Sequence, residues 1–478
     1  MPIIRYKGHD EKEALAEVLR LFFGGFESGS EQDLIVGSDN VIITSILLPD
    51  GDNLMIKTEC EGQQTINRSI APEKFRREIK RQLYCQLEQL TDTHYPWGSL
   101  NGVRPTQIVM ESYLRNDRNE EDVISELTDY WRLSEKKAKL GLEAALAEQQ
   151  IMDGLTPDDL FVYAGVPFCP GRCSYCSFIA RDAHRLESWL EPYADTMVEE
   201  AKMVFSGLSK PVRALYLGGG TPTSLPDSAF ARLLEGLVRY LPLVEGGEWT
   251  VEAGRPDTIT RTKLELIRQA GADRICINPQ TMNDATLERI GRRHTTAQTI
   301  AAYEQAREYG FKHINMDLIA GLPGEEPEEL LRSLDKLIAL GPESITIHTL
   351  ALKRSSGLQQ MDSDSLRAAS KPQHRLSEAV EEAGRRLREE GLHPYYLYRQ
   401  KEVAGGLENT GYAKPGKACV YNVAMMSDRY NVIGLGSGAV SKRVVGTKVR
   451  RTSNSKDLLD YQQRLPELTE RKLKLFFD

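Results

Sequence analysis

The chain has 478 residues, of which 40% are apolar and 27% charged, and its formal net charge is −8. This composition predicts folded domains with a sizeable core, and the acidic balance argues against a broad, non-specific nucleic-acid-binding face. At roughly 100–200 residues per domain, the length predicts two to four domains. No apolar stretch approaches the roughly 18–20 residues of a membrane span, and the first ten residues lack a signal-peptide core, so we expect a cytoplasmic location.

Residues 1–155 are predicted to form an α+β accessory domain. Its strand-like runs are Leu34–Val36, Asn40–Leu48 and Leu54–Cys60, the last two joined by a turn at Asp50-Gly51-Asp52. Its helical patterns are Glu11–Phe23, Pro72–Thr91 and Pro105–Gln150. The segment Gly154–Asp159 predicts the boundary with the next domain.

From Phe161 onwards, strand-like runs alternate with helical patterns, which indicates parallel βα units. The helical patterns include Asp227–Tyr240, Arg261–Ala270, Ala297–Tyr309 and Pro327–Leu340. The six short apolar runs, typical of buried parallel strands, are Phe161–Val166, Val212–Leu217, Trp249–Ala253, Arg274–Asn278, His313–Ile319 and Ser344–Leu350. Polar residues recur at their C-terminal ends, where α/β barrels carry their active sites, so we predict a partial (β/α)6 barrel over residues 156–371. Residues 372–478 predict a C-terminal α+β extension with a helix, two strands and a hairpin.

Three of the seven cysteines, Cys169, Cys173 and Cys176, form a C-x3-C-x2-C motif directly after the first predicted barrel strand. An odd number of cysteines in a large chain without a signal peptide argues against a disulfide framework. Thiolates select zinc, Cu(I) or iron–sulfur clusters, and a structural zinc site needs four ligands, for which no second cysteine pair is present. Three thiolates suit a [4Fe–4S] cluster with one iron open to another ligand, while zinc and three buried free thiols stay open as alternatives.

A glycine-rich turn, Gly218-Gly219-Gly220-Thr221-Pro222, follows the second barrel strand. It lacks the Gly-Lys-Ser/Thr ending of a P-loop, and Pro222 interrupts any dinucleotide-binding fingerprint. Four polar residues then lie near the ends of four successive strands: Glu252, Gln280, Asp317 and His348. Any one of them is compatible with an ordinary solvated strand end, but four in succession indicate a rim that faces a ligand.

The cysteine spacing, the aromatic Tyr175 before the third cysteine, and the glycine turn resemble the radical S-adenosylmethionine (SAM) superfamily. Seven ordered motifs over about residues 160–460 further resemble the oxygen-independent coproporphyrinogen III oxidase family: Val166-Pro-Phe-Cys169, Gly218–Thr223, Glu252, Gln280, Arg289–Thr295, Asp317–Pro323 and Gly436–Ser441. The extra N-terminal domain with Asn101-Gly-Val-Arg-Pro105, together with Tyr395–Lys401 and Leu407–Tyr412, resembles the HemZ-type coproporphyrinogen dehydrogenases.

This resemblance implies a [4Fe–4S] cluster on the three cysteines and two SAM molecules, although the sequence itself does not show the second. The first SAM would contact Tyr163, Gly219, Glu252 and Val440. The second would contact Tyr175, Gly220, Thr221, Gln280, Arg292, Asp317 and Ala351. The implied reaction is radical oxidative decarboxylation of two propionates of coproporphyrinogen III, which gives protoporphyrinogen IX in haem biosynthesis. An electron donor such as flavodoxin or ferredoxin is implied, and no catalytic residue is assigned.

Three positions depart from the family pattern. Phe178 stands where the best-known oxidases have a further cysteine, and Gly165 stands where a histidine usually precedes the first cysteine. The stretch Tyr421–Met426 lacks the histidine and aromatic pair of the haem-chaperone branch, which counts against a chaperone. A haem chaperone, a radical SAM methyltransferase and a haem-degrading enzyme stay open as alternatives.

A tetrapyrrole with four propionates needs cationic partners. The candidates are C-terminal: Arg399, Lys401, Arg443, Lys448, Arg450 and Arg451. The alternative for these residues is a solvated basic hairpin.

Overall fold

The computed structural model describes residues 2–24, 26–28, 33–36, 41–176, 181–208, 210–351, 374–400, 403–446 and 448–477. Predictions that concern Phe178, Lys401 or residues 352–371 lie outside the described residues. Among the described residues, no helix combines the length and apolar character needed to cross a membrane.

The N-terminal region is built on a six-stranded sheet with the order β2-β3-β1-β4-β5-β6. Its strands are β1 Ile3–Lys7, β2 Glu27–Ser28, β3 Asp33–Ile35, β4 Ile42–Asp50, β5 Asn53–Cys60 and β6 Ile66–Ile70, and its helices are α1 Lys12–Phe23 and α2 Phe75–Thr91. The turn predicted at Gly51 joins β4 to β5. Helix α1 buries Leu15, Val18, Leu19 and Phe22, the i, i+3, i+4, i+7 stripe of an amphipathic helix, in a core with α2 and the sheet.

A helical arm follows, in which the single predicted pattern over Pro105–Gln150 is divided into several pieces. These are α3 Pro105–Arg115, α4 Glu120–Ser125, a π-helical turn Glu126–Tyr130 and α5 Glu135–Asp153. Asn119 and Ser134 provide the breaks, because each side chain accepts backbone N–H groups as the N-cap of the next helix. The arm has its own core around Trp97, and Leu397 of the C-terminal region packs into it.

The main sheet has eleven strands in the order β15-β16-β14-β13-β12-β11-β10-β7-β17-β18-β19. Six successive parallel strands occupy its middle: β7 Leu160–Val166, β10 Val212–Gly219, β11 Leu243–Gly254, β12 Arg274–Ile277, β13 His313–Ala320 and β14 Ser344–Thr349. The helices between them are α6 Glu187–Gly207, α7 Asp227–Tyr240, α8 Arg261–Gln269, α9 Asp284–Arg289, α10 Thr296–Glu308 and α11 Pro327–Leu340. A small parallel pair, β8 Phe168–Cys169 and β9 Arg181–Asp182, flanks the cysteine loop.

The C-terminal region extends this sheet at both edges. Its strands are β15 His393–Tyr398, β16 Asn409–Ala413, β17 Asn431–Leu435, β18 Val440–Val445 and β19 Lys448–Ser453, and its helices are α12 His374–Glu389, α13 Val420–Met426, α14 Leu458–Gln463 and α15 Leu465–Phe477. Strand β16 lies antiparallel beside β14, and β17 lies parallel beside β7. The sheet formed by the described residues is open, so the α/β class and the partial barrel are confirmed, whereas the domain limits at 155 and 371 stay predictions.

Candidate functional site

The three cysteines of the motif share one loop next to the C-terminal end of β7. Cys169 ends β8 with its Sγ 3.4 Å from Thr221 Oγ1, and the Cys176 N–H donates to the Cys173 carbonyl at 3.1 Å. Burial raises the pKa of the Cys169 thiol to about 11, and the neighbouring Cys176 and Cys173 raise it as well. In the described part of the chain, no three His, Cys, Asp or Glu side chains converge as for a single metal ion. Three thiolates in one loop match the ligation of an iron–sulfur cluster by one thiolate per iron, with one iron left without a protein thiolate.

The glycine turn lies directly against the cysteine loop. The Gly220 N–H donates to the Val166 carbonyl and the Thr221 N–H to the Phe168 carbonyl, both at 2.7 Å. A Cβ atom on Gly220 would lie 2.5 Å from the Phe168 oxygen, and Gly219 adopts a φ of 110°. Glycine is therefore needed here for close backbone packing. The predicted SAM contacts of Gly219, Gly220 and Thr221 stay predictions.

Arg255 forms a hydrogen bond with the cysteine loop and was not identified as a site residue from the sequence. Its side chain is 2% exposed, donates to Asp257 at 2.9 and 2.6 Å, and donates to the Gly171 carbonyl at 3.3 Å. The nearby guanidinium opposes the rise in the pKa of Cys169. The Arg-x-Asp sequence after the glycine that ends the strand is a local signal that can be recognised. The hydrogen-bond partner of Arg255, the Gly171 carbonyl, lies 84 residues earlier and cannot be recognised from the sequence.

A stack of three tyrosines lines the barrel beside the loop. Tyr163 and Tyr216 are in-register partners on β7 and β10, with ring centroids 6.4 Å apart, and Tyr421 of α13 stacks on Tyr216 at 4.8 Å. The Tyr216 hydroxyl donates to Glu252 Oε1 at 2.7 Å. Desolvation, assisted by the charge of Asp317, raises the pKa of Glu252 to about 7. Tyr216 could have been found from the sequence by aligning the ends of the first two strands.

Asp317 and His348 lie together on the neighbouring strands β13 and β14. The Asp317 Oδ1 accepts from Asn315 Nδ2 at 2.7 Å, and its Oδ2 lies 3.5 Å from His348 Nε2. The other ring nitrogen of His348 lies 3.2 Å from Asn409 Oδ1. Burial alone would lower the pKa of His348, but the Asp317 carboxylate outweighs it and the pKa is raised.

Gln280 has the strongest local mark of a ligand-binding residue. It is one of the few described non-glycine residues with a positive φ, at 73°. Two hydrogen bonds of 2.9 Å hold this conformation: the Gln280 N–H donates to the Asp317 carbonyl, and the Gln280 carbonyl accepts from the Ile319 N–H. Its side-chain Oε1 is buried and has no partner among the described residues. Backbone strain and an unsatisfied buried oxygen both destabilise the free protein, which a bound ligand would explain.

Tyr175 and Arg292 form a further pair from the predicted set. Arg292 Nε donates to the Tyr175 hydroxyl at 3.2 Å, and its NH1 donates to the Asn278 carbonyl. The loop is fixed here by the Ser174 N–H, which donates to the Ile290 carbonyl at 3.0 Å. Tyr175 therefore lies in a defined position rather than on a solvated surface.

The last two predicted contact residues lie at the flanks of this row. Val440 begins β18 and is 40% exposed, and Ala351 follows β14, where it forms an isolated bridge with Val403. The loop before Val440 packs tightly on β7, since a Cβ on Gly436 would lie 2.4 Å from the Gly165 oxygen. A side chain at Gly165 would meet the Tyr163 ring at 2.9 Å, which gives a steric reason for the missing histidine.

Arg399 does not fit its predicted role as a substrate-binding cation. Its side chain is 5% exposed, stacks on Trp97, and donates to the Gly406 carbonyl at 2.5 Å and to the Leu100 carbonyl. The structure therefore makes it a link between the helical arm and the C-terminal region. The other described candidates, Arg443, Lys448, Arg450 and Arg451, lie on the β18–β19 hairpin.

The family model of the Radical SAM superfamily matches residues 163–337. The chain is 34% identical to the oxygen-independent coproporphyrinogen-III oxidase-like protein HemZ of Bacillus subtilis, over 98% of this chain and 96% of that protein. The chain belongs to this HemZ-like family of radical SAM proteins. Superfamily members bind a [4Fe–4S] cluster and SAM, and the cysteine loop and the rim residues of this HemZ-like chain fit both.

Other relatives place the chain more broadly among the HemN, HemW and HemZ proteins. It is 29% identical to the heme chaperone HemW of Bacillus subtilis over 58% of this chain and 69% of that protein. It is 31% identical to the oxygen-independent coproporphyrinogen III oxidase of Cereibacter sphaeroides over 43% of this chain and 46% of that protein. The solved structure of coproporphyrinogen III oxidase (HemN) from Escherichia coli matches with a TM-score of 0.52 and 23% identity, covering 67% of this chain and 72% of HemN, and shares its fold.

Proposed function

We propose that this HemZ-like protein oxidatively decarboxylates two propionate side chains of coproporphyrinogen III to vinyl groups, giving protoporphyrinogen IX without oxygen. In each round, one propionate loses CO2, one hydrogen atom from its β-carbon and one electron to a one-electron acceptor. The cluster and SAM, when bound, supply the hydrogen-abstracting chemistry. The protein's own residues bind, orient and shield the reacting groups.

The observation that carries this proposal is the arrangement of one continuous rim. The cysteine loop is clamped by Arg255 and the glycine turn, and Glu252, Gln280 and Asp317 follow at the ends of successive strands. SAM carries an ammonium, a carboxylate, a ribose and a sulfonium, which call for carboxylates, backbone amides and amide oxygens at separate points. The rim offers these groups in a chain that matches HemZ over nearly its full length.

Glu252 and Gln280 have distinct tasks in this proposal. Glu252, held by Tyr216 and with a pKa near 7, becomes a charged acceptor when the SAM cation replaces its lost hydration. The unsatisfied Oε1 of Gln280 would accept a hydrogen bond from a second SAM, with Arg292 and Asp317 beside it. Tyr175 would close the same site from the cysteine loop.

An anaerobic assay tests the proposal. The reconstituted protein receives SAM, a chemical reductant and coproporphyrinogen III, and 5′-deoxyadenosine, CO2 and the product mass are measured. We expect 5′-deoxyadenosine and a divinyl product, both abolished by Cys173→Ala. Cys60→Ala is the matched control, because Cys60 is an equally buried thiol in the N-terminal sheet and should leave both products unchanged. Formation of 5′-deoxyadenosine without vinyl product would reject the substrate but keep the chemistry.

The relatives named as haem chaperones define the main alternative, which the same preparation decides. Stoichiometric haem capture without decarboxylation would favour a chaperone. The stretch aligned with the chaperone motif forms α13, and its Tyr421 is buried in the tyrosine stack, which argues against a haem ligand there. A flavodoxin- or ferredoxin-like donor and a cytoplasmic location stay predictions.

A further inference from the structure

Asn409 lies between the barrel rim and the helical arm. It begins β16, which pairs antiparallel with both β14 and β15, and its side chain is fully buried. Its Oδ1 accepts from the Thr349 N–H at 3.1 Å, and its Nδ2 donates to the Tyr398 carbonyl at 3.4 Å. Because a backbone N–H can only donate and a carbonyl can only accept, these two partners determine which way the Asn409 amide points.

The oxygen of this amide fixes the ring of His348. Asn409 Oδ1 lies 3.2 Å from His348 Nδ1, and an amide oxygen has no proton to give, so Nδ1 carries the proton. His348 Nε2 is therefore the nitrogen that gains or loses a proton, and it lies 3.5 Å from Asp317 Oδ2. A neutral ring places a lone pair against that carboxylate, whereas a protonated ring places a donor there.

The ionisable groups that act on His348 come from three neighbouring strands. They are Asp317 of β13, Glu252 of β11 and Tyr398 of β15, whose hydroxyl lies 3.4 Å from His348 Nδ1. Burial raises the pKa of Tyr398 to about 12, so this phenol stays neutral. Burial alone would lower the pKa of His348, but the Asp317 carboxylate and the Asn409 amide outweigh it and the pKa is raised. The His348 side chain is 25% exposed, so solvent can deliver and remove this proton.

The residue before Asn409 is held by the helical arm. Glu408 is 1% exposed, and its two carboxylate oxygens accept from Lys137 Nζ at 2.7 Å and from Trp97 Nε1 at 2.6 Å. Burial would raise the pKa of Glu408, but the Lys137 cation outweighs it and the pKa is lowered, so the carboxylate stays charged. The Glu408 carbonyl in turn accepts from the Thr349 hydroxyl at 2.6 Å. Glu408 thus ties the end of β14, where His348 lies, to the arm.

We propose that Asn409 is a positioning residue that fixes the His348 ring with Nε2 toward Asp317, and that the helical arm holds Asn409 in place through Glu408. The proton on His348 then controls how much negative charge Asp317 presents to a ligand at the rim. This inference deepens the proposed function and rests on it for one point, the SAM molecule beside Asp317. A SAM cation there disfavours a second positive charge on His348, so the affinity for SAM rises with pH as this proton leaves.

Hydrogen–deuterium exchange at the Cε1–H of each histidine, read by peptide mass spectrometry over a range of pH, measures the titration midpoint of His348. The sample is the full-length reconstituted protein without SAM. Asn409→Leu removes the acceptor and should lower the midpoint by about 0.5–1 pH unit, because hydrogen bonds to charged groups are stronger than those to neutral groups. Asn409→Asp keeps the acceptor and adds a negative charge, so the midpoint should rise. A merely structural role would not move the two variants in opposite directions, so midpoints that move alike or stay unchanged would overturn the proposal.

Two tryptophans of the arm test the link through Glu408. Trp97→Phe removes one donor to Glu408 without a change in charge, and it should lower the His348 midpoint in the same direction as Asn409→Leu but by less. Trp131→Phe is the matched control, because Trp131 packs in the same core and its Nε1–H has no partner among the described residues. This control should leave the midpoint unchanged. Equal midpoints in the two tryptophan variants would refute the role of the arm.

Equilibrium dialysis with SAM between about pH 6 and pH 8 tests the effect on the ligand. The unmodified protein is compared with His348→Gln, since the ionisation of Glu252 and of SAM itself is common to both. The gain in SAM affinity over this range should be about threefold or more smaller in His348→Gln, and an equal gain would contradict the proposal. Neither measurement uses coproporphyrinogen III, so a failure to form vinyl product would reject the proposed function and leave this inference standing.

Discussion

A buried ion pair beneath the loop between β17 and β18 gives the sharpest prediction. Glu200 of α6 is fully buried and receives four donors: Lys472 Nζ of α15, Asn454 Nδ2 at 2.7 Å, the Tyr461 hydroxyl at 2.7 Å and the Gly436 N–H at 2.7 Å. Lys472 also donates to the Gly434 carbonyl at 2.6 Å. The cluster therefore fixes the loop between β17 and β18, which packs on β7 and leads to Val440.

The magnitudes follow from what each substitution leaves behind. Tyr461→Phe removes one hydrogen bond to a charged acceptor, which is worth about 1.5–3 kcal/mol. Lys472→Met leaves a buried carboxylate without its counter-ion, which typically costs about 3–5 kcal/mol. The three remaining donors to Glu200 place our expectation near the lower end of that range. Lys202→Met is the control, since Lys202 and Glu199 form a half-exposed pair on the same helix as Glu200, worth about 0–1 kcal/mol.

Hydrogen–deuterium exchange of peptides within residues 431–455 measures these effects locally, which avoids assuming that a chain with several cores unfolds in one step. At about 1.4 kcal/mol per factor of ten, exchange should accelerate roughly tenfold to a hundredfold in Tyr461→Phe and more in Lys472→Met. Peptides of the N-terminal sheet should not change. Exchange in both variants equal to that in Lys202→Met would refute the reasoning that Glu200 holds this loop.

Three further predictions concern the rim. The pKa of Glu252 in the folded protein is raised to about 7 from 4.5, so its ionisation destabilises the ligand-free fold as pH rises through that window. Between pH 5 and pH 8, the Glu252→Gln variant should therefore lose less stability than the unmodified protein, by at most about 3 kcal/mol in denaturant titrations. Parallel pH curves for both proteins would contradict this. Gln280→Ala removes an unsatisfied buried oxygen, so the free energy of unfolding should stay equal or rise by up to about 1 kcal/mol. The number of SAM molecules bound per chain in equilibrium dialysis should fall from two to one. An unchanged number would exclude Gln280 from the second SAM site. Arg255→Gln should move the midpoint potential of the reconstituted cluster to more negative values in an EPR-monitored titration, because a fixed positive charge near the cysteine loop is lost. The control is Arg268→Gln, because Arg268 is an exposed residue of α8. Equal potentials in the two variants would rule this out.

Elements with strong local signals were predictable to within a residue or two. Helices α7 and α11 have the predicted limits, Asp227–Tyr240 and Pro327–Leu340, because an amphipathic stripe lies between a favourable first turn and, for α11, a left-handed Gly341 at its end. The positions of Glu252 and Asp317 also follow from the sequence, since residues at the ends of parallel strands must share one rim.

Features that depend on contacts distant in sequence were not predictable. Arg399 looked like a free cation because nothing near it in sequence shows that its partner is the carbonyl of Leu100, 299 residues away. The Glu200–Lys472 pair spans 272 residues, and β17 joins β7 by a parallel pairing that no local pattern encodes. In each case the local sequence fits a solvated surface equally well, and only tertiary packing decides.

The loss of Arg399 from the candidate substrate site changes how charge must balance at the barrel mouth. The rim carries the carboxyls of Glu252 and Asp317, and its cation Arg292 is already engaged by Tyr175 and the Asn278 carbonyl. A substrate with four carboxylates would be repelled by such a rim if it were empty. Under the proposed function, bound SAM, whose ammonium and sulfonium outnumber its single carboxylate, would offset part of the acidic charge of the rim. Arg443, Lys448 and Arg450 of the β18–β19 hairpin stay candidates for the propionates, whereas Arg451 already pairs with Asp428.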